Sequence, residues 1–365
     1  MLRAQKIFLL KTIMSKTLQH ILEQQTVEAS APCRIDMAGT LDLATFFYPL
    51  QHLDPCTVNI AIDLRTRVRL FPYRQGWIKV SSKGFESAEF LSGKAPFAHP
   101  MGLIFAIAYF FRAEGIHIMI DSTSPPRGAL GGSSSAGVAL IAAFLKLAEP
   151  EKKLTIPRRR IALLAHALEQ SVAVVPCGIQ DQLAAAYGGV HVWHWQVIDQ
   201  EPCFARKPLV EKKNYGDLEN RLLLAYCGVP HESSDINGQW VRQFLAGQHR
   251  DAWLEICNCA QNFAAALAGH DLVSACTAMN REVEIRRQLT PEVLDIVGEK
   301  LVKTAVDSRC GARFTGAGGG GCIWALGDAG DIKKLKKKWK AVLSCREEAG
   351  LLDAAIDGIG VAIKE

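Results

Sequence analysis

The segment Pro125-Pro126-Arg127-Gly128-Ala129-Leu130-Gly131-Gly132-Ser133-Ser134-Ser135 constrains this chain more than any other. An apolar strand pattern, Ile116 to Asp121, precedes it, and an apolar helical stretch, Val138 to Leu147, follows it. A strand, a glycine-rich loop and a helix in that order build an anion cradle. Glycines let the backbone approach closely, the unpaired amides of the first helical turn donate, and the helix dipole adds positive potential. Hydroxyls at that turn reach phosphate oxygens or a metal ion. A plain serine N-cap after a flexible turn explains one serine, but not three in a row after three glycines.

Two familiar nucleotide motifs are excluded. No Gly-x-x-x-x-Gly-Lys-[Ser/Thr] occurs, so the Walker loop is absent. Gly316-x-Gly318-x-x-Gly321 matches the dinucleotide fingerprint in form, but that fingerprint requires a helix next, and Cys322-Ile323-Trp324-Ala325-Leu326 reads as a strand.

The rest of the chain alternates strand and helix patterns. Thr57 to Leu70 and Trp77 to Val80 read as strands, Gly102 to Glu114 as helix. A helix beginning near Arg158 places Ile161, Leu164, Ala165 and Leu168 on one face, after a stop at Pro150. Val190 to Trp195 and Leu222 to Tyr226 read as strands, with helices between Val241 and Leu289 and a terminal strand around Ile356 to Ile363. A chain of 365 residues exceeds what one core usually serves. The polar segment Gln200 to Asn220 therefore marks a boundary, giving an extension over 1–28 and domains over 29–199 and 200–365. The extension lacks an apolar run long enough for a signal core.

Composition, at 49% hydrophobic and 22% charged residues, is that of a globular protein, with no membrane partner expected. The net charge of +5 is concentrated in Lys333, Lys334, Lys336, Lys337, Lys338 and Lys340. Ile332, Leu335, Trp339 and Val342 recur among them at helical spacing, so the lysines read as a solvated helix face and not a nucleic-acid patch. Eleven cysteines without disulfide-like spacing point to a reducing, cytoplasmic location. Cys257 and Cys259, two apart on a helix, face different ways and make no zinc site.

Three segments in order resemble the GHMP kinases, the family of galactokinase, homoserine kinase and mevalonate kinase. Ala31-Pro32-Cys33-Arg34-Ile35-Asp36-Met37-Ala38-Gly39-Thr40-Leu41-Asp42 is similar to the N-terminal substrate motif. The loop above resembles the Pro-x-x-x-Gly-Leu-Gly-Ser-Ser-Ala nucleotide loop, and Gly311 to Gly321 the C-terminal glycine motif that lies against it. Cys177-Gly178-Ile179-Gln180-Asp181-Gln182 and Ala225 to Ser234 are similar to heptose 7-phosphate kinases and, less closely, galactokinases. The sequence departs from the pattern in three places. Ala129 replaces the first glycine of Gly-Leu-Gly, so its backbone must avoid positive φ or accept strain. No Glu-His precedes Asp42, and His231 stands near where the heptose kinases have Arg.

The resemblance implies an α+β GHMP kinase fold, with an N-terminal domain like ribosomal protein S5 domain 2 and a ferredoxin-like C-terminal domain. It implies an ATP-dependent kinase using Mg2+ on a small-molecule sugar or sugar phosphate, and is compatible with a homodimer. Asp181 becomes the catalytic base, with Arg34 holding it ionised; a helix cap is the plainer use of Asp181. Nucleotide contacts fall to Pro126, Gly128, Leu130, Gly131, Gly132, Ser133, Ser134, Ser135, Gly318 and Gly319, with Thr315 adding a hydroxyl. Substrate contacts fall to Asp42, Gly39, Gln180 and Gly316. Ser134 and Glu169 hold the metal, where a boundary ion pair is the plainer reading of Glu169. A second phosphate on the substrate would need a cation such as Arg127, His231 or Lys83. Rival readings are a mevalonate- or homoserine-type kinase and a sugar sensor without turnover.

Overall fold

The computed structural model describes residues 20–24, 26–148, 156–173, 176–196, 203–230 and 236–364. Its larger sheet is organised by one strand. β2 (Cys56–Pro72) runs beside β1 (Val27–Met37) along its whole length, with a bulge at Pro32/Cys33. Its first half pairs with β6 (Val190–Gln196), its second with β5 (Ile116–Ser122). β3 (Trp77–Ser82) pairs parallel with β5 and antiparallel with β4 (Ala88–Leu91). β7 (Cys203–Pro208) extends β6, and β12 (Ala362–Lys364) returns to pair with β1. Both of these last strands follow residue 200 in the chain and belong to the first sheet.

Of the helices α1 (Gly102–Phe110), α2 (Gly132–Ala148), α3 (Arg158–Val172) and α4 (Gln180–Tyr187), α2 and α4 lie on this sheet, and α1 and α3 pack against α2. α2 packs on β1 and β2 and buries Val138 to Phe144 without a break, because sheet and neighbouring helices enclose it on nearly all sides. In α3 the pattern is one-sided: Ile161 and Ala165 are buried while Arg159 and Arg160 face water.

The second sheet is antiparallel in the order β11 (Gly350–Leu352), β8 (Leu222–Tyr226), β10 (Cys322–Leu326), β9 (Gly311–Phe314). α5 (Ile236–Leu245), α6 (Arg250–Ala268), α7 (Leu272–Leu289), α8 (Ile296–Val306) and α9 (Ala329–Leu343) complete this half, α7 and α8 lying on β9 and α9 on β8 and β11. The lysine-rich stretch is α9, amphipathic as expected, with Ile332, Leu335, Trp339 and Leu343 buried. Cys257 and Cys259 are both buried in α6. Among the described residues no cluster fit to hold a metal through His, Cys, Asp and Glu alone occurs, and no helix is long and apolar enough to cross a membrane. β10 follows the glycine turn as a strand, which rules out the dinucleotide fingerprint. The C-terminal strand is shorter than expected: Ile356 forms only an isolated bridge to Ile62 before β12.

Candidate active site

A cleft of ≈ 970 Å³ opens beside the strand–loop–helix unit, lined by Pro126, Gly128, Leu130, Gly131, Gly132, Ser133 and Ser134, with Glu169 and Asp181 at one end. The loop reaches its shape through alternating positive φ angles, 53° at Arg127, 58° at Ala129 and 76° at Gly131. Ala129 thus accepts the strain rather than avoiding it, at about 1–2 kcal/mol for a residue with Cβ. Its carbonyl, turned by that conformation, accepts a 2.6 Å hydrogen bond from Arg34 Nη1.

Arg34 stands on β1 and Asp181 in the first turn of α4. Arg34 donates to both carboxylate oxygens of Asp181, Nε to Oδ1 at 2.8 Å and Nη2 to Oδ2 at 2.9 Å. Asp181 is not the cap of its helix, since helical residues begin at Gln180 and the Gln180 amide is satisfied by Asp42. Burial pushes the Asp181 carboxyl above the usual range, and Arg34 opposes that push. Burial alone would lower the Arg34 guanidinium, but Asp181 and Asp36 hold it firmly charged. A side chain on Gly131 would bring Cβ to 3.1 Å from Asp181 Oδ2, so the carboxylate lies directly against the loop.

Ser134 Oγ donates to Glu169 Oε2 at 2.7 Å, and Gln182 Nε2 donates to the same oxygen at 2.6 Å. Among the described residues no cation pairs with Glu169, so the boundary ion pair is not formed. Burial pushes this carboxyl up to about 7, partly offset by Ser134 and Gln182. A hydroxyl and a carboxylate converging beside an anion loop, with no counter-charge, form a donor set that suits a hard cation.

Several expected contacts are turned elsewhere. Ser135 Oγ donates inward to the Pro32 and Gly131 carbonyls, at 2.7 and 2.9 Å, and ties the loop to β1. Thr315 is fully buried and braces the Cys322 carbonyl at 3.2 Å. Gly318 and Gly319 do not line the cleft: a Cβ on Gly318 would stand 2.4 Å from the Val293 carbonyl, and the Gly319 amide donates to that carbonyl at 3.0 Å. The glycine turn meets the phosphate-type loop through other members. A Cβ on Gly321 would stand 2.8 Å from the Gly128 carbonyl, and one on Gly316 3.5 Å from that of Ala129.

Gly39, Gln180, Asp42 and Gly316 gather around the Arg34–Asp181 pair. A Cβ on Gly39 would meet Gln180 Nε2 at 2.6 Å, and Gln180 Oε1 accepts from Asn59 at 2.9 Å. Asp42 is buried and accepts the Gln180 amide at 3.0 Å, so one oxygen anchors α4 instead of facing a ligand. Burial pushes its carboxyl up to about 6. Lys83 and Arg127 line the loop's own cleft, and His231 lies outside the described residues.

The sequence reading missed a buried ionic chain behind the site. Arg313 Nη1 donates to Asp36 Oδ2 at 3.0 Å, and its Nε and Nη2 donate to Glu282 at 2.9 and 3.1 Å. Arg286 donates to Glu282 at 2.9 Å and to the Gly39 carbonyl at 2.7 Å, its guanidinium held against the rings of Trp240 and Trp253. One signal was present: Arg34 and Asp36 are two apart on a strand and so share a face.

The chain is similar to several known proteins. Residues 102–189, which carry α1, β5, the loop and Asp181, match the model of the GHMP kinases N terminal domain. The D-glycero-alpha-D-manno-heptose 7-phosphate kinase of Campylobacter jejuni is 22% identical over 336 residues, 89% of this chain and 95% of that protein. The mevalonate kinase of Thermococcus onnurineus is 24% identical over 329 residues, 82% and 89% of the two chains. The crystal structure of a D-glycero-D-manno-heptose 1-phosphate kinase from Bacteroides thetaiotaomicron superposes with a TM-score of 0.69 at 17% identity, covering 93% of this chain and 99% of the other. Fold and loop together match an architecture in which a glycine-serine loop stands where other nucleotide-binding folds carry the Walker loop. The chain resembles the GHMP kinases, with residues 102–189 matching their N-terminal domain, and has their α+β fold.

Proposed function

We propose that this chain transfers the γ-phosphoryl group of ATP to a sugar hydroxyl, the anomeric one, with D-glycero-D-manno-heptose 7-phosphate as the leading acceptor. One observation carries the reading: the Asp181 carboxylate, held by Arg34 on both oxygens, lies against Gly131 of the loop, where base and phosphate must meet. The amides of Gly132, Ser133 and Ser134 at the start of α2 receive the phosphates. Ser134 and Glu169 would hold magnesium, whose charge offsets that of the phosphate oxygens. Asp181 orients the acceptor hydroxyl and takes its proton as the bond to phosphorus forms. An anomeric hydroxyl suits this role because it gives up its proton more readily than an ordinary alcohol. The sugar assignment is supported by the name of the Campylobacter jejuni relative. The ten free thiols among the described residues support a cytoplasmic site of action.

The test is ADP release with free aldoses, aldose phosphates, mevalonate and homoserine, followed by phosphorus NMR of the product. Turnover with sugar phosphates and an anomeric phosphate product are expected. Turnover confined to mevalonate or homoserine defeats the sugar assignment; turnover with free hexoses alone defeats the heptose phosphate. No turnover with any acceptor, beside intact Mg-ATP binding, would favour a sensor.

A further inference from the structure

Asp36 has no role in the chemistry just described, yet both of its carboxylate oxygens are engaged in the buried ionic chain behind the site. It is 1% exposed. Its Oδ2 accepts from Arg313 at 3.0 Å, its Oδ1 accepts the Gly316 amide at 2.8 Å, and the same Oδ1 stands 3.6 Å from Arg34 Nη1. Its backbone carbonyl accepts from Trp324 Nε1 at 3.1 Å. Strand β1 is thereby fastened to β9, β10 and the glycine turn across the junction of the two halves.

We propose that Asp36 is a positioning residue that acts through Arg34: it fixes the guanidinium from the side opposite Asp181 and locks the Gly316 turn onto the loop, so that Asp181 is presented at one place. The inference rests on the kinase reading above. The geometry leaves Arg34 little other restraint on that side. Its Nε and Nη2 are committed to Asp181 and its Nη1 to the Ala129 carbonyl, and Asp36, two residues along β1 on the same face, is the carboxylate beside it. The charges balance only with Asp36 present. Arg34, Arg313 and Arg286 are offset by Asp36, Glu282 and an ionised Asp181 in one connected chain. Removing one member of a buried chain strands its partner, so the neighbours re-pair. Arg313 and Arg34 would both be drawn to the carboxylates that remain, and for Arg34 that is Asp181. The chain also reaches the acceptor side, because Arg286 holds the Gly39 carbonyl. Donor loop, acceptor loop and base are set by one network, with Asp36 at its branch point.

The experiment is a double-mutant cycle. Asp36→Asn is made in the wild-type and in the Asp181→Asn backgrounds, and kcat, KM and melting temperature are measured with each acceptor that the wild type turns over. Asp36→Asn is expected to lower kcat by ~10–100-fold in the wild-type background, the scale of a displaced reacting group. With Asp181 already removed it should lower kcat by less than about twofold, since the residue acts through that carboxylate. Equal losses in both backgrounds would show a merely structural role and overturn the inference, as would an unchanged kcat. The Asp36→Asn/Arg313→Gln double variant removes one charge of each sign and keeps the chain neutral; it carries the same prediction and the same refutation if Asp36→Asn alone does not fold. An Asp181→Asn enzyme as active as wild type would overturn the underlying reading, and this inference with it. A crippled Asp181→Asn enzyme with additive losses would overturn this inference alone.

Discussion

Replacing Asp42 by Asn is expected to change how the stability of the protein depends on pH. Asp42 is 5% exposed, its Oδ2 accepts the Gln180 amide at 3.0 Å, and a side chain on Gly178 would stand 1.7 Å from that oxygen. Burial is the largest influence on it; the Gln180 amide opposes burial, and the charges of Asp181 and Asp36 add to it. The carboxyl therefore titrates near 6 in the native protein, against 3.8 when solvated. A carboxyl raised by folding binds more protons in the native than in the unfolded state between these values, so stability falls as pH rises across that window. With 1.36 kcal/mol for each pH unit, the loss amounts to about 3 kcal/mol, complete above about pH 6. Asn carries no such titration and keeps an acceptor for the Gln180 amide. Urea unfolding of both proteins, followed by tryptophan fluorescence from pH 4 to 7.5, reads the difference directly. The wild type should lose about 3 kcal/mol relative to the variant over the window. A difference that stays constant with pH, or widens in the opposite direction, would refute the reasoning.

Ser134→Ala and Glu169→Ala should each weaken Mg-ATP binding in a calorimetric titration, and unchanged affinity with unchanged turnover would remove both from the metal site. Asp181→Asn should keep nucleotide affinity while turnover, measured as ADP release, falls by ~10²–10⁴. Gly321→Ala, at φ +80° and with Cβ 2.8 Å from the Gly128 carbonyl, should lose ~1–2 kcal/mol from backbone strain alone and raise KM for ATP by displacing the loop. Gly350→Ala, with nothing within 4 Å of its Cβ, should do neither; a similar melting temperature for the two variants would count against the loop contact.

What was legible in the sequence was what local chemistry writes down. Glycines and serines between a strand and a helix announced the loop, and the Gly-x-Gln-Asp-Gln pattern led to Asp181. The structure pairs Asp181 with Arg34 and Glu169 with Ser134. Direction was not legible. Ser135, Thr315 and Asp42 have the right atoms, but a hydroxyl or carboxylate satisfies a backbone group as readily as a ligand, and in each case a buried backbone partner claims it. The ionic chain was hidden for another reason. A Glu and an Arg four apart on a helix commonly pair on a solvated face, yet Glu282 and Arg286 are both fully buried because α7 is covered by β9 and α6. Nor does local pattern announce that Asp36 meets a partner 277 residues away.

The pairing of β12 with β1 bears on how the chain is made. On the edge of β1 away from β2, Glu28, Ala29 and Ser30 are met by Lys364, Ile363 and Ala362, so the first sheet is completed after the whole second half has been synthesised. On the ribosome, at ~5–20 residues per second, the edge of β1 stays unpaired for roughly 15–70 seconds while the chain between them emerges. An unpaired edge invites association with other chains. Shortening the protein by its last strand would make that exposure permanent, so a C-terminal truncation should aggregate from the N-terminal half.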